Sequence, residues 1–157
     1  MIEGWKVYLV RHGQATSTTE NPERPLTIEG RRHAERVASW LEKSGHEVDE
    51  ILHSEKLRAR QTAKIFGSRL GLHAAKVHET PGLRPHDDPS AMADAIEADR
   101  RSIMVVGHLP YLSRLASALL VRDPDCLNTR ITDAGVVVLG RAGSGWQIEA
   151  VASHEMI

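Results

Sequence analysis

Apolar and polar positions alternate in blocks along this chain. Val7-Tyr8-Leu9-Val10, within residues 5–10, is a continuous apolar run rich in β-branched and aromatic side chains, which predicts a buried strand. From Thr27 to Lys43 the apolar positions Ala34, Val37, Ala38 and Leu41 recur at helical spacing, with Thr27 placed as N-cap and Gly45 as stop. Ile51-Leu52 predicts a short strand ending at His53-Ser54, and Leu57, Ile65, Phe66 and Leu70 mark a second helix stopped by Gly71. Residues 76–79 predict an edge strand, and Met92 and Ile96 a helix between Pro89 and Asp99. Ile103-Met104-Val105-Val106 is a further strand, followed by a helix from Tyr111 to Val121 with Pro110 at its start, where a missing N–H costs nothing. Val136-Val137-Val138-Leu139 and the run from Trp146 to Val151 flank Gly143-Ser144-Gly145, a hairpin signal.

Strand and helix alternating in this way predict an α/β protein, a three-layer α/β/α sandwich. Its central sheet is mainly parallel and takes an antiparallel strand near the C-terminus. The polar, proline-bounded stretch from Thr16 to Pro25 interrupts the pattern as a loop or lid. With 157 residues, 41% of them hydrophobic, the chain is long enough for one real core, so residues 1–157 are expected to form a single domain. Only 4% are aromatic, which leaves the core to Leu, Ile, Val, Ala and Met.

A formal charge of −1 gives no overall basic field and argues against nucleic acid as the partner, so any anion site must be local. The single cysteine, Cys126, allows neither an internal disulfide nor a thiolate metal cage. No apolar stretch approaches a bilayer span and the N-terminus lacks an apolar signal centre, so the expectation is a cytoplasmic protein without a membrane partner.

Three predicted strands end in chemistry: Arg11-His12-Gly13, then Ser54 leading into Leu57-Arg58-Ala59-Arg60-Gln61-Thr62, then Gly107-His108. Carboxyl ends of parallel strands share one sheet edge, so these groups can converge. Two imidazoles and two guanidinium groups around one point make an anion pocket, because arginine stays charged and offers fixed bidentate donors. Phosphoryl transfer needs that arrangement: positioning, and neutralisation of charge spread over three oxygens. His12 would attack as neutral imidazole, with the neighbouring arginines disfavouring its protonation, and protonated His108 would add charge. No metal-ligand spacing is present and no cofactor is expected; phosphate or sulfate would occupy the pocket. Arg60 falls on a different side of its helix from Arg58.

With Leu9-Val10-Arg11-His12-Gly13, Arg24-Pro25-Leu26-Thr27 with Gly30, Ser54 with Leu57 through Ala63, and Val106-Gly107-His108-Leu109-Pro110, the chain resembles the histidine phosphatase superfamily. This phosphoglycerate mutase-like family includes the small SixA-type phosphohistidine phosphatases, which the chain resembles most. The resemblance implies that His12 is the nucleophile and that Arg11 and Arg58 bind phosphoryl oxygens. It also implies that His108 completes the pocket and that Arg24, with Gly13 and Leu109, lies near the substrate. It further implies a metal-independent phosphatase with a phosphohistidine intermediate on His12. The substrate would be phosphohistidine on a protein such as a histidine phosphotransfer domain. The alternatives are a phosphatase for small phosphate esters and a phosphate-binding module without turnover. Many relatives carry a glutamate before a leucine after the third strand, where this chain has Gly82-Leu83. Asp87 and Asp88 are the candidate general acids in its place, set in a Pro-bounded polar turn.

Overall fold

The computed structural model describes residues 4–157. Their strands form one six-stranded sheet in the order β3-β2-β4-β1-β5-β6. The elements in chain order are β1 (Lys6–Arg11), α1 (Ile28–Lys43), β2 (Glu50–His53), α2 (Leu57–Arg69) and β3 (Val77–Glu79). They continue as α3 (Ser90–Asp99), β4 (Ile103–Gly107), α4 (Tyr111–Val121), β5 (Val136–Ala142) and β6 (Gly145–Ala152). β1 pairs parallel with β4, and β4 and β3 pair parallel with β2, whereas β5 runs antiparallel to both β1 and β6. The expected α/β/α architecture, with its departure from parallel pairing at the C-terminal hairpin, is the observed one.

The apolar run in β1 is continuous because both sheet faces are covered. Side chains alternate across a strand, so Tyr8 and Val10 pack with Ala34, Val37, Leu41 and Phe66 of α1 and α2. Val7 and Leu9 pack on the other face with Ile96, Leu112 and Leu115 of α3 and α4. Each buried Val or Leu contributes about 1.5–3 kcal/mol relative to exposure. Those contributions hold the helix layers to the sheet from both sides.

Thr27 caps α1 as expected, its hydroxyl accepting from Gly30 N–H at 2.9 Å. Gly45 and Gly71 adopt positive φ of 81° and 75° just past their helices, where a side chain would be strained. A short 3₁₀ turn, Ala74–Lys76, is additional to the predicted elements. The topology places a switch point between β1 and β4: their following helices cover opposite faces, which opens a crevice at the two carboxyl ends.

Candidate active site

His12 leaves the end of β1, and its backbone is held on both sides. Its N–H donates to Gly107 carbonyl at 3.0 Å, and its carbonyl accepts from Ala134 N–H at 3.2 Å. The side chain is fixed by its own turn: Nδ1 lies 2.8 Å from Gly13 carbonyl. A carbonyl can only accept, so Nδ1 carries the proton and Nε2 carries the lone pair. Burial lowers the ring's pKa from its ordinary value of 6.5 to about 4, with Arg58 and Arg11 adding to the effect. The Gly13 carbonyl and Asp133 oppose it. Desolvation therefore outweighs the arginines as the reason His12 is neutral.

His108 follows β4, with its ring 5.1 Å from that of His12, centroid to centroid, at 58°. Burial and its cationic neighbours push its pKa down to about 3. Both imidazoles are thus held neutral near pH 7, and His108 does not carry the standing positive charge expected from sequence. Its Nε2 lies 2.7 Å from the buried Ser54 hydroxyl at the end of β2. That contact holds the imidazole in one orientation.

The fixed charge comes from the arginines. Arg11 Nη1 donates to Ile131 carbonyl at 3.1 Å and lies 3.5 Å from Asp133 Oδ1, while its Nε is buried without a protein partner. Arg58, on the first turn of α2, also has a buried, unpartnered Nε. Burial and Arg24 lower the Arg58 pKa, which places a third guanidinium near the pocket. Buried donors without partners are rare, and two on adjacent guanidiniums are suited to an oxyanion. Arg24 has φ of 53°, a left-handed conformation uncommon for a side chain with Cβ, and its Nε donates to Thr16 carbonyl at 3.0 Å. It stands at the base of the 16–25 loop, which Thr16 N–H closes onto Pro25 carbonyl at 2.7 Å.

Gly13 is needed for close approach and not for an unusual φ. A Cβ there would lie 2.9 Å from Gly30 carbonyl oxygen and 3.3 Å from the Leu26 side chain. A Cβ on Gly30 would lie 2.2 Å from Gln14 carbonyl oxygen. Thr62 Oγ1 accepts from Gly13 N–H at 3.0 Å and donates to Arg58 carbonyl at 2.8 Å, so one hydroxyl joins the His12 turn to the Arg58 helix. Gln61 Oε1 accepts from Leu26 N–H at 2.8 Å. Leu109 is half-buried against the α3/α4 core.

The two candidate acids are engaged in their turn. Asp88 Oδ1 accepts from Ser90 N–H at 2.9 Å, a bond that lowers its pKa and keeps the fully exposed carboxylate ionised. Asp87 Oδ2 accepts from Arg84 N–H at 2.9 Å. Gly82 has φ of 84°, and a Cβ there would meet open space. Among the described residues, no group of three or more His, Cys, Asp or Glu is arranged to hold a metal ion.

Sequence reasoning singled out Arg11, His12, Arg58 and His108, and the structure brings them to one crevice. It assigned no role to Asp133 and Ile131, which hold Arg11 from the segment before β5.

A half-buried histidine and a buried one, flanked by arginines at the switch point of a three-layer sandwich, make a candidate anion site. A family model described as "Histidine phosphatase superfamily (branch 1)" matches residues 7–87, and the chain belongs to that superfamily. It is 29% identical over 151 residues to phosphohistidine phosphatase SixA of Escherichia coli, across 91% of this chain and 92% of the relative. It also matches a structure of the protein histidine phosphatase SixA complexed with tungstate. That match has a TM-score of 0.84 and 25% identity, over 96% of this chain and 98% of the other. A putative alpha-ribazole-5'-P phosphatase from Escherichia coli shares the fold at TM-score 0.72 and 18% identity, over 97% and 98% of the two chains. The family and the site together mark the chain as a phosphatase-type hydrolase of SixA type.

Proposed function

We propose that this chain hydrolyses phosphohistidine on a protein, without a metal, through a phosphoryl group held covalently on His12. The observation that carries this reading is the His12 tautomer: the Nδ1–H bond to Gly13 carbonyl leaves Nε2 as a lone pair beside two half-buried arginines whose buried Nε atoms are unpartnered. The tungstate that the SixA relative binds is a tetrahedral oxyanion, a shape the same residues would accept here.

His12 Nε2 attacks phosphorus as the P–N bond of the substrate breaks, and the departing imidazole takes a proton from solvent. Arg11 and Arg58 hold the equatorial oxygens, each charge-assisted hydrogen bond contributing about 1.5–3 kcal/mol. His108 becomes protonated as the dianion binds and donates to it. Water then attacks the phosphoryl group on His12, inorganic phosphate leaves, and His12 regains its lone pair.

The engagement of Asp87 and Asp88 favours phosphohistidine over an ester. An alkoxide leaving group benefits from a positioned acid, whereas a phosphoramidate breaks a weaker bond to a nitrogen that solvent protonates. The exposed, unpaired Cys126 suits the reducing cytoplasm where such a protein would act.

Side-by-side phosphate release from a phosphorylated histidine phosphotransfer domain and from p-nitrophenyl phosphate, both with EDTA, tests the reading. The expected result is faster release from phosphohistidine that His12→Ala abolishes. Preference for the ester makes this a small-molecule phosphatase. Loss of activity in EDTA contradicts a metal-free mechanism.

A further inference from the structure

α2 carries four basic residues and no acid, whereas α3, on the opposite layer, carries three acids and no base. Of the four on α2, only Arg58 enters the phosphoryl chemistry. On a chain of net charge −1, this is a segregation of charge and not a general basicity.

The unused cations line a groove of about 480 Å³ between α1 and α2, where Arg31, Arg60 and Lys64 stand with Leu57 and Ile65. All three cations are exposed, while Leu57 and Ile65 are half-buried. Two other cations on these helices are paired, Arg32 with Glu29 at 3.3 Å and Arg69 with Glu42 at 3.5 Å. Among the described residues, Arg31, Arg60 and Lys64 enter no ion pair, and Glu35 is the one acid lining the groove. Two residues tie the groove to the site region: Leu57 immediately precedes Arg58 in α2, and the Gln61 side chain holds Leu26 N–H.

From this arrangement we infer that the α1–α2 groove is the docking surface for an acidic segment of the phosphorylated protein. The inference rests on the phosphohistidine reading and extends it. Carboxylates of the partner would meet Arg31, Arg60 and Lys64 while its apolar side chains cover Leu57 and Ile65, with the phosphohistidine entering beside Arg58. A polyanion without apolar groups would use the cations and leave the apolar floor uncovered. Charge complementarity of this kind raises encounter rates and selects partners more than it adds raw affinity, and it weakens as salt rises.

The test uses three substrates: a phosphohistidine peptide flanked by Asp and Glu, the same peptide with Ser in place of each acid, and free phosphohistidine. The expected wild-type result at low salt is a higher kcat/KM on the acidic peptide than on the Ser peptide. Each exposed ion pair of this type gives roughly 1.4- to 5-fold. The difference shrinks at high salt. The double variant Arg60→Glu/Lys64→Glu removes the preference through KM, with kcat retained and free phosphohistidine hydrolysed at the wild-type rate, which also reports an intact fold. Equal kcat/KM on the two peptides, or an equal loss on free phosphohistidine, overturns the docking assignment while leaving the substrate reading standing. Release from none of the three contradicts the substrate reading and the docking surface together.

Discussion

His12 differs from an ordinary surface histidine in two respects, each with its own cause. The Gly13 carbonyl decides which nitrogen carries the proton, and burial decides that only one does at neutral pH. With a pKa of about 4 in place of 6.5, the free protein should keep its His12 ring neutral as pH falls through 6.5, protonating only near 4. NMR titration of the imidazole C–H signals should therefore show His12 unmoved down to pH 5. Inorganic phosphate should raise its midpoint, since a bound anion favours imidazolium. A midpoint at or above 6.5 in the free protein would remove the basis for a resting nucleophile. The four candidate residues were legible in sequence because three stand at or just after the end of a predicted strand and Arg58 opens the helix that follows one. Thr62, Ser54 and Asp133 were not assigned roles, because their parts are hydrogen bonds and an ion pair between distant segments. Gly13 and Thr62, for example, are 49 positions apart, and only the packed fold makes them neighbours.

At the scale of elements, the site depends on how closely α1 approaches the turn after β1. Gly30 lies in the first turn of α1 and faces the backbone of Gln14, so there is no flexible side chain to yield. Gly30→Ala should displace the turn that orients His12, costing about 1–3 kcal/mol as an overpacking change and lowering Tm by several degrees. It should reduce kcat/KM as well. Gly67→Ala is the comparison: its Cβ would meet a Val77 side-chain methyl at 2.9 Å, on the edge strand away from the pocket, so catalysis should be retained. Equal activity of the two variants would show that close α1 packing is not what positions the nucleophile. Element positions were readable in sequence where periodicity and stop signals agreed, as at Thr27, Gly45 and Gly71. The α4 helix runs from Tyr111 to Val121 as expected. Asp87 and Asp88, the candidate acids, each accept one backbone hydrogen bond within their own turn, a contact that composition does not reveal.

For the whole molecule, a parallel arrangement of β1, β2 and β4 carries Arg11-His12, Ser54-Arg58 and His108 to one edge. The antiparallel β5 then brings Ile131 and Asp133 back against Arg11 from the other side. Sequence pattern was sufficient to expect the layers and the C-terminal hairpin. It could not show that the segment before β5 packs against Arg11, because residues 131–135 carry no periodicity and act through the Ile131 carbonyl and the Asp133 carboxylate. The charge segregation between the α1/α2 and α3/α4 layers is likewise visible only once the layers are assigned. The proposed function turns on one chemical event, transfer of a phosphoryl group to His12 Nε2. Rapid quenching of the protein with a phosphohistidine substrate under alkaline conditions, followed by peptide mass spectrometry, measures that event directly. The account predicts a phosphoryl mass on the peptide containing His12, alkali-stable and acid-labile, and absent from His12→Ala. Turnover with no phosphoryl group on His12 at any quench time, or one found on another residue, would contradict it.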